Sequence, residues 1–102
     1  MQVVRGTVVR SSAGRDKGDF QVVLEFDESY AVVCDGKHRP LEQTKRKKLK
    51  HLKITNTIVD EENLLTNKLI RKALRPFIEK VNLENILIYL SQCIKTVLKY
   101  IQ

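Results

Sequence analysis

The sequence is poor in the residues that cross-link, stack or span membranes. It has 102 residues with no Trp, two Cys and two Pro, and only 6% of them are aromatic. Cys34 and Cys93 lie far apart without a CxxC pair, so neither a disulfide framework nor a zinc site is indicated, and we expect both to be reduced core residues. No apolar run exceeds five residues, whereas a membrane-spanning helix needs roughly 20. We therefore expect a globular domain that makes no membrane contact.

Signatures of export and of catalysis are also missing. The N-terminal residues show no basic segment followed by an apolar stretch, so we expect a cytoplasmic protein. There is no P-loop, no GxSxG and no Cys/His pair in register, so neither an enzyme nor a cofactor is expected. His38 and His51 have no carboxylate or Cys at metal-ligand spacing, and we assign both to a polar surface instead of a metal site.

The composition changes near residue 57. Residues 1–57 contain all four Gly and short runs of β-branched residues, whereas residues 58–102 have no Gly and carry apolar residues three or four positions apart. The first pattern is typical of strands and the second of helices. Four or five strands in fewer than 60 residues can curl into a small, highly bent barrel. We predict a small β-barrel over 1–57 followed by a helical C-terminal extension over 58–102.

Individual elements follow from periodicity. Strict alternation predicts a strand whose inward face carries Phe20, Val22, Leu24 and Phe26. A polar tripeptide then leads into Tyr30–Cys34, which predicts a hairpin, and His51–Thr55 is a plausible last strand after a turn at Leu49. In the second part, Pro76 is expected to kink or divide the helical structure, and Asn82 to cap a final amphipathic helix.

The positive charge is concentrated in the first part. The chain has a formal net charge of +7, and residues 1–54 hold 12 Lys and Arg against 7 Asp and Glu. Six of the nine residues in Lys45–Lys53 are Lys or Arg, and no acidic residue occurs between Gln43 and Val59. Such a density of cations attracts phosphates, although a merely solubilising run is the plainer alternative.

A glycine-bounded turn accompanies this run. Gly14 and Gly18 enclose Arg15 and Lys17, which the turn would expose. Physical reasoning alone leaves a solvated hairpin turn and an anion-binding loop equally open. The same segment and those after it closely resemble, in order, a KOW domain of the ribosomal protein L14e family of archaeal and eukaryotic large subunits and its bacterial relatives. The resemblance covers about residues 2–56 and rests on Gly6 to Gly18, Phe20 to Phe26, Tyr30 to Gly36, Lys37 to Glu42 and Lys47 to Leu52.

The resemblance implies a Src-homology-3-like barrel whose turn and neighbouring basic residues contact RNA, with Gly14 as the signature glycine. We therefore expect an RNA-binding protein, ribosomal or ribosome-associated and acting in translation, that contacts structured ribosomal RNA through phosphates. The candidate RNA-binding residues are Arg10, Ser11, Gly14, Arg15, Lys17, Lys37, Arg39, Lys45, Arg46, Lys47, Lys48, Lys50, His51 and Lys53. Base stacking is a weak expectation because Tyr30 is the only plausible platform. We expect the acidic hairpin tip around Asp27 to lie away from the RNA face.

The last predicted helix has an apolar stripe. At 100° per residue its apolar residues fall within an arc of roughly 120°. The candidate partner-binding residues on this stripe are Leu87, Leu90, Ile94, Val97, Leu98 and Ile101. Packing on the barrel, self-association, binding of a protein partner and, less favoured, binding at a membrane surface all stay open. The alternative to a ribosomal function is a protein-interaction adaptor of the KOW type found in transcription elongation or ribosome factors.

Overall fold

The computed structural model describes residues 2–101, and their side chains as far as Lys99. Within that range five strands are followed by one long helix. The strands are β1 (Thr7–Ser11), β2 (Phe20–Phe26), β3 (Tyr30–Cys34), β4 (Lys45–Lys48) and β5 (Leu52–Ile58); single 3-10 turns span Leu41–Gln43, Leu49–His51 and Glu61–Leu64, and the helix α1 is Asn67–Ile101. The predicted order of short strands followed by helical structure is confirmed.

The strands form one antiparallel sheet in the order β4-β3-β2-β1-β5, with β4 and β5 as its edges. These two edge strands are joined only by the turn Leu49–His51. The four steps from Lys48 to Leu52 reach at most ~14 Å, whereas the edges of a flat five-stranded sheet lie ~19 Å apart. The sheet must therefore bend strongly. Irregularities in pairing between Thr7 and Val9 and between Val23 and Glu25 supply part of that bend.

Apolar residues cover both faces of the sheet. One face packs against the start of α1, and its buried cluster consists of Val8, Val22, Cys34, Val59, Leu64, Ile70 and Leu74. The inner face of the bend is filled by Val3, Val9, Val23, Ala31, Val33 and Leu52. The first cluster joins residues from both sides of the boundary predicted at 57. The sheet and the first turns of α1 therefore share one core.

The helix begins against the turn that follows β3. Gly36 has φ +77°, and a Cβ at this position would lie 2.5 Å from the carbonyl oxygen of Asn67. Arg71 donates a hydrogen bond to the Gly36 carbonyl (2.6 Å), and the Asn67 side chain accepts one from the Leu41 amide (2.8 Å). Any side chain at residue 36 would therefore push the helix away from the sheet.

The predicted division at Pro76 and the predicted cap at Asn82 are wrong, because α1 runs as a single helix through both residues; a kink at Pro76 stays a prediction. Proline at position 76 removes one amide donor and leaves the Lys72 carbonyl without its helical partner. Both residues are exposed, so water can satisfy that carbonyl and the helix continues. Asn82 lies inside the helix and does not cap it.

The strands differ from the prediction in two places. The predicted inward face of β2 is confirmed for Phe20, Val22 and Leu24, which belong to or pack against the cluster under α1. It is wrong for Phe26, which is 51% exposed at the hairpin end, and the opposite face is not exposed, because the inner face of the bend fully buries Gln21 and Val23. Strand β4 was also missed, because its Lys-rich sequence has low β-propensity and lysine is typical of edge strands.

The two cysteines have different environments. Cys34 is fully buried in the cluster under α1, and burial raises the pKa of its thiol to about 11. Cys93 is exposed on the far part of α1. The expectation of a core position is thus confirmed for Cys34 and wrong for Cys93, since the sheet does not reach that part of the helix.

Candidate nucleic-acid interface

The loop between β1 and β2 is a tightly hydrogen-bonded turn. The Gly18 amide donates to the Ser11 carbonyl (2.8 Å), and the Ser11 amide donates to the Asp19 carbonyl (2.9 Å). Gly14 has φ +85°, and a Cβ at this position would approach no atom closer than 3.5 Å, so its left-handed conformation and not a lack of space favours glycine. The predicted turn is present, and it exposes Arg15 and Lys17.

A buried ion pair holds this loop to strand β4. Asp16 is 8% exposed and Lys47 is 6% exposed, and the Lys47 Nζ lies 2.6 Å from the Asp16 Oδ1. Ser11 donates to Asp16 Oδ1 (2.9 Å) and Gln21 donates to Asp16 Oδ2 (2.8 Å). Lys47 also donates to the Ser11 hydroxyl and to the Ala13 carbonyl (2.9 Å for the latter). The charges are therefore compensated inside the bend of the sheet.

The electrostatics of Asp16 follow from these contacts. Burial alone would raise the pKa of its carboxyl, because it disfavours the charged form. The hydrogen bonds from Lys47, Gln21 and Ser11 and the charge of Lys47 outweigh burial and hold that pKa well below its usual range. Asp16 thus carries a negative charge throughout the neutral pH range, and this charge keeps Lys47 in place.

Two predicted contact residues belong to this interior. Along β4 the side chains alternate, so that Lys47 is buried while Arg46 and Lys48 are exposed. Lys47 and Ser11 therefore do not reach a surface where a phosphate would bind, and we remove both from the set of RNA contacts. Lys45 stays at the margin, with its Nζ 3.9 Å from Asp16 Oδ2 and its side chain 29% exposed. The sequence pattern did not predict the burial of Lys47, because six of nine consecutive residues are cations and nothing in their order shows which one faces inward.

The Arg46 side chain lies on the opposite face of β4 from that of Lys47. Its guanidinium lies 4.1 Å from the centroid of the Tyr30 ring and 3.5 Å from Asp27 Oδ2. One face of the only predicted stacking platform is therefore covered by a protein side chain. Pairing of β3 with β4 brings Asp27 of the acidic hairpin tip to Arg46; that this tip lies away from an RNA-binding face stays a prediction.

Several basic segments meet at the end of the sheet where β1 finishes and β2 begins. The Ser12 amide donates to the His51 carbonyl (2.9 Å), which brings the turn Leu49–His51 beside the loop. Strand pairing sets Lys53 opposite Arg10. The exposed cations at this end are Arg15, Lys17, Lys37 and Lys53, with Arg39, Lys45 and His51 half-buried among them. We call these seven residues the basic end; Lys48 and Lys50 lie nearer the β2–β3 hairpin, where they line a pocket with Glu28 and Tyr30.

Arg10 stands apart from the other cations. Its Nε donates to the Gly18 carbonyl (3.0 Å), and its guanidinium lies 5.0 Å from the centroid of the Phe20 ring. These contacts brace the β1–β2 loop from the side opposite to Lys47. Arg10 is therefore a support for the loop, and its charge adds to the field of the basic end.

The helix contributes cations that the sequence pattern missed. A groove of about 420 Å³ between the sheet and α1 is lined by Lys37, His38, Arg71 and Arg75 and by the carboxylates of Asp19 and Asp35, with Phe20 among its apolar walls. Arg71 and Arg75 are four residues apart, so they lie on the same face of α1. That spacing was a usable signal, but only the docking of α1 on the sheet sets these residues beside Lys37.

Comparison of the chain with protein-family models and with curated proteins finds no match. Within residues 2–101, no helix combines the length and the hydrophobicity needed to cross a membrane. The interpretation of the site therefore depends on the geometry above and on the sequence patterns.

Proposed function

We propose that this chain is an RNA-binding protein of the KOW type, associated with the ribosome, that binds structured RNA through contacts to its phosphates. Its strands would form a Src-homology-3-like barrel. The strong bend of the sheet supports this proposal, since Lys47 on an edge strand reaches Ser11 and Asp16 at the end of β1. A glycine-bounded turn at one end of such a sheet is the feature on which the resemblance to KOW domains rests.

The observation that carries the proposal is the convergence of exposed cations at the basic end. Arg15, Lys37 and Lys53 come from the β1–β2 loop, the turn after β3 and strand β5. Among the described residues Asp16 is the buried acidic side chain, and Asp19 and Asp35 are half-buried at the same end. The Asp16 charge is compensated by Lys47. The outer cations therefore keep their charge for an anionic ligand, and the ion pair keeps the loop rigid.

Phosphate contact fits this surface better than reading of single-stranded bases. The Tyr30 ring is covered by Arg46, and stacking on aromatic rings is the usual way to hold unpaired bases. Cations on three separate backbone segments match the spaced phosphates of a folded RNA. The basic groove lined by Arg71 and Arg75 extends this surface along α1.

A charge-reversal experiment tests the proposal. The variant Arg15→Glu/Lys37→Glu/Lys53→Glu should lose at least tenfold in affinity for a ribosomal RNA fragment in fluorescence anisotropy. The slope of log affinity against log salt should become less steep by roughly one for each contact removed. The matched control is Lys72→Glu/Lys95→Glu/Lys99→Glu, which changes the net charge equally on exposed positions of α1. Equal losses of RNA affinity in both variants would show that the basic end attracts RNA only non-specifically.

Association with the ribosome needs its own experiment. Cell lysate is sedimented through sucrose gradients at low and high salt. Co-migration with large subunits that survives high salt supports a stoichiometric component, whereas release at high salt supports a transient factor. If the protein is absent from ribosomal fractions at any salt concentration, the ribosomal part of the proposal is wrong. RNA binding is then tested by the anisotropy experiment alone.

One observation favours the protein-interaction adaptor as a second candidate. The apolar stripe on the far part of α1 is exposed, with Leu90 at 49% and Ile94 at 59%, and large exposed apolar patches mark interaction sites. Loss of binding to another protein in Leu90→Asp or Ile94→Asp, together with no binding of any RNA by the wild type, would favour the adaptor.

A further inference from the structure

The far part of α1 stands clear of the sheet. Every described side chain from Asn82 to Lys99 is exposed, and the molecule measures 58 × 27 × 23 Å because the helix projects along its long axis. A shallow groove of about 230 Å³ on this helix is lined only by Leu90, Cys93, Ile94, Val97 and Leu98. Exposed apolar surface of this extent is costly in water and indicates a covering partner.

The spacing of the apolar residues defines the geometry of that partner. Residues Leu83, Leu87, Leu90, Ile94 and Val97 follow each other at intervals of four and three. This is the a/d pattern of a coiled coil, in which an equivalent helix inserts its side chains between those of the first. Ile101 continues the pattern in the sequence, although its side chain lies outside those that the structure describes.

The stripe is large enough for a stable pair of helices. Eight apolar residues lie along it or at its margins: Leu83, Ile86, Leu87, Leu90, Cys93, Ile94, Val97 and Leu98. Burying one Leu or Ile removes roughly 100 Å² of apolar surface from water, so the stripe offers roughly 800 Å² per copy, about what each partner contributes to an interface of standard size. A self-complementary stripe needs no other protein to cover it.

The charges beside the stripe select the direction of pairing. In a parallel pair, Glu79 of one copy would face Glu84 of the other at the flanking positions that normally hold opposite charges, and Lys80 would meet Lys80 in the seam. In an antiparallel pair centred at the level of Gln92, Glu84 of one copy lies beside Leu98 of the second, so neither of these like-charge contacts forms. The two Lys80 residues are then about 36 Å apart along the axis.

We propose that the chain forms a homodimer through an antiparallel pair of α1 helices, with the contact centred near Gln92. This arrangement sets the points where the two helices leave their sheets, at Phe77, about 45 Å apart. That separation is several times the Debye length of about 8 Å, so repulsion between the two basic ends is screened. The pairing rests on the helix alone and does not depend on whether RNA is the ligand.

The oligomeric state is the first test. Sedimentation equilibrium of the full chain at micromolar concentration should give twice the chain mass of 11.8 kDa. Ile94→Asp should give the monomer mass. Ile88→Asp should stay dimeric, because Ile88 has nearly the same exposure as Ile94 (58% and 59%) but lies on the opposite side of the helix. A monomeric wild type, a higher oligomer, or equal effects of the two substitutions would overturn the proposal.

The direction of pairing is tested by a distance. In the variant Asn82→Cys/Cys93→Ser a spin label attaches at residue 82 only, because Cys34 is fully buried and its thiol pKa is raised to about 11 by burial. Pulsed electron paramagnetic resonance should give a backbone separation of about 30 Å between the two copies. A separation below about 20 Å indicates parallel helices, which pack 8–10 Å apart, and would contradict the proposal.

Discussion

The two parts of helix α1 have similar sequence patterns and opposite surroundings. Ile70 and Leu74 are 0% and 1% exposed because the sheet covers them, whereas Leu90 and Ile94 are 49% and 59% exposed. The periodicity of apolar residues predicts a covered face in both parts. An amphipathic pattern therefore indicates that one face of a helix will be buried. It does not indicate whether the chain's own sheet or another molecule buries that face.

The same contrast applies to charge. Lys47 is buried, lies 2.6 Å from Asp16 and makes further hydrogen bonds, while Lys95 on the projecting helix is exposed. A buried charge is tolerated only with a partner, and an exposed one needs none. Four experiments test this contrast between the sheet with its docked helix and the projecting helix.

The largest expected effect is that of Lys47→Met. Removing one partner of a buried ion pair leaves Asp16 charged, with Lys45 at 3.9 Å as its remaining counter-charge, so the free energy of unfolding should fall by about 3–5 kcal/mol. Urea denaturation measures the change. The control Lys95→Met removes the same charge from an exposed position and should stay within about 0.5 kcal/mol of the wild type.

A double variant separates the ion pair from simple packing. Asp16→Asn/Lys47→Met removes both charges, so it should be more stable than Lys47→Met alone. If the double variant loses the sum of the two single losses, the Asp16 carboxylate and the Lys47 ammonium are not coupled, and the assignment of this pair as the support of the loop is wrong.

The next effect comes from truncating one isoleucine in each part of α1. Ile70→Ala should lower the free energy of unfolding by about 2–5 kcal/mol, because it opens a cavity in the cluster under the helix. Ile94→Ala, measured at a concentration where the chain is monomeric, should change it by about 0.5 kcal/mol or less. Comparable losses would mean that residues beyond Val81 pack on the sheet in the monomer.

The smallest effect is a dependence on pH. The pKa of Asp16 is lowered in the folded chain, so its contribution to stability is fully present above the unfolded value of about 3.9 and is lost as the pH falls below that value toward the folded pKa. Thermal denaturation should therefore show a steeper loss below about pH 4 in the wild type than in Asp16→Asn. Identical profiles would show that Asp16 is not the group that titrates.

Local patterns in the sequence predicted a good part of this molecule. The division into strands and a helical part, the glycine-bounded turn and the exposed Arg15 and Lys17 all follow from residues close together in the chain. The strand β4 and the continuity of α1 through Pro76 were missed, because lysine and proline oppose these conformations locally and only long-range pairing and solvation permit them.

The candidate site shows the same limit. The density of Lys and Arg predicted a basic surface, but all six cations of the run looked equivalent. Pairing of β3 with β4 decided that Lys47 faces inward and that Arg46 meets the Tyr30 ring and Asp27. Arg71 and Arg75 joined the surface only through the docking of α1.

Sequence alone predicts which half of the chain holds the strands and which half is helical, where charge is concentrated, and the seven-residue repeat of the projecting helix, since each depends on residues that are close together in the chain. The tertiary structure alone decided which members of those sets are available for binding. A charged or apolar side chain that another segment buries stabilises the fold, as Lys47 and Ile70 do. Such a side chain stays free for a ligand or a second copy where the fold leaves it in water, as at Lys53 and Ile94.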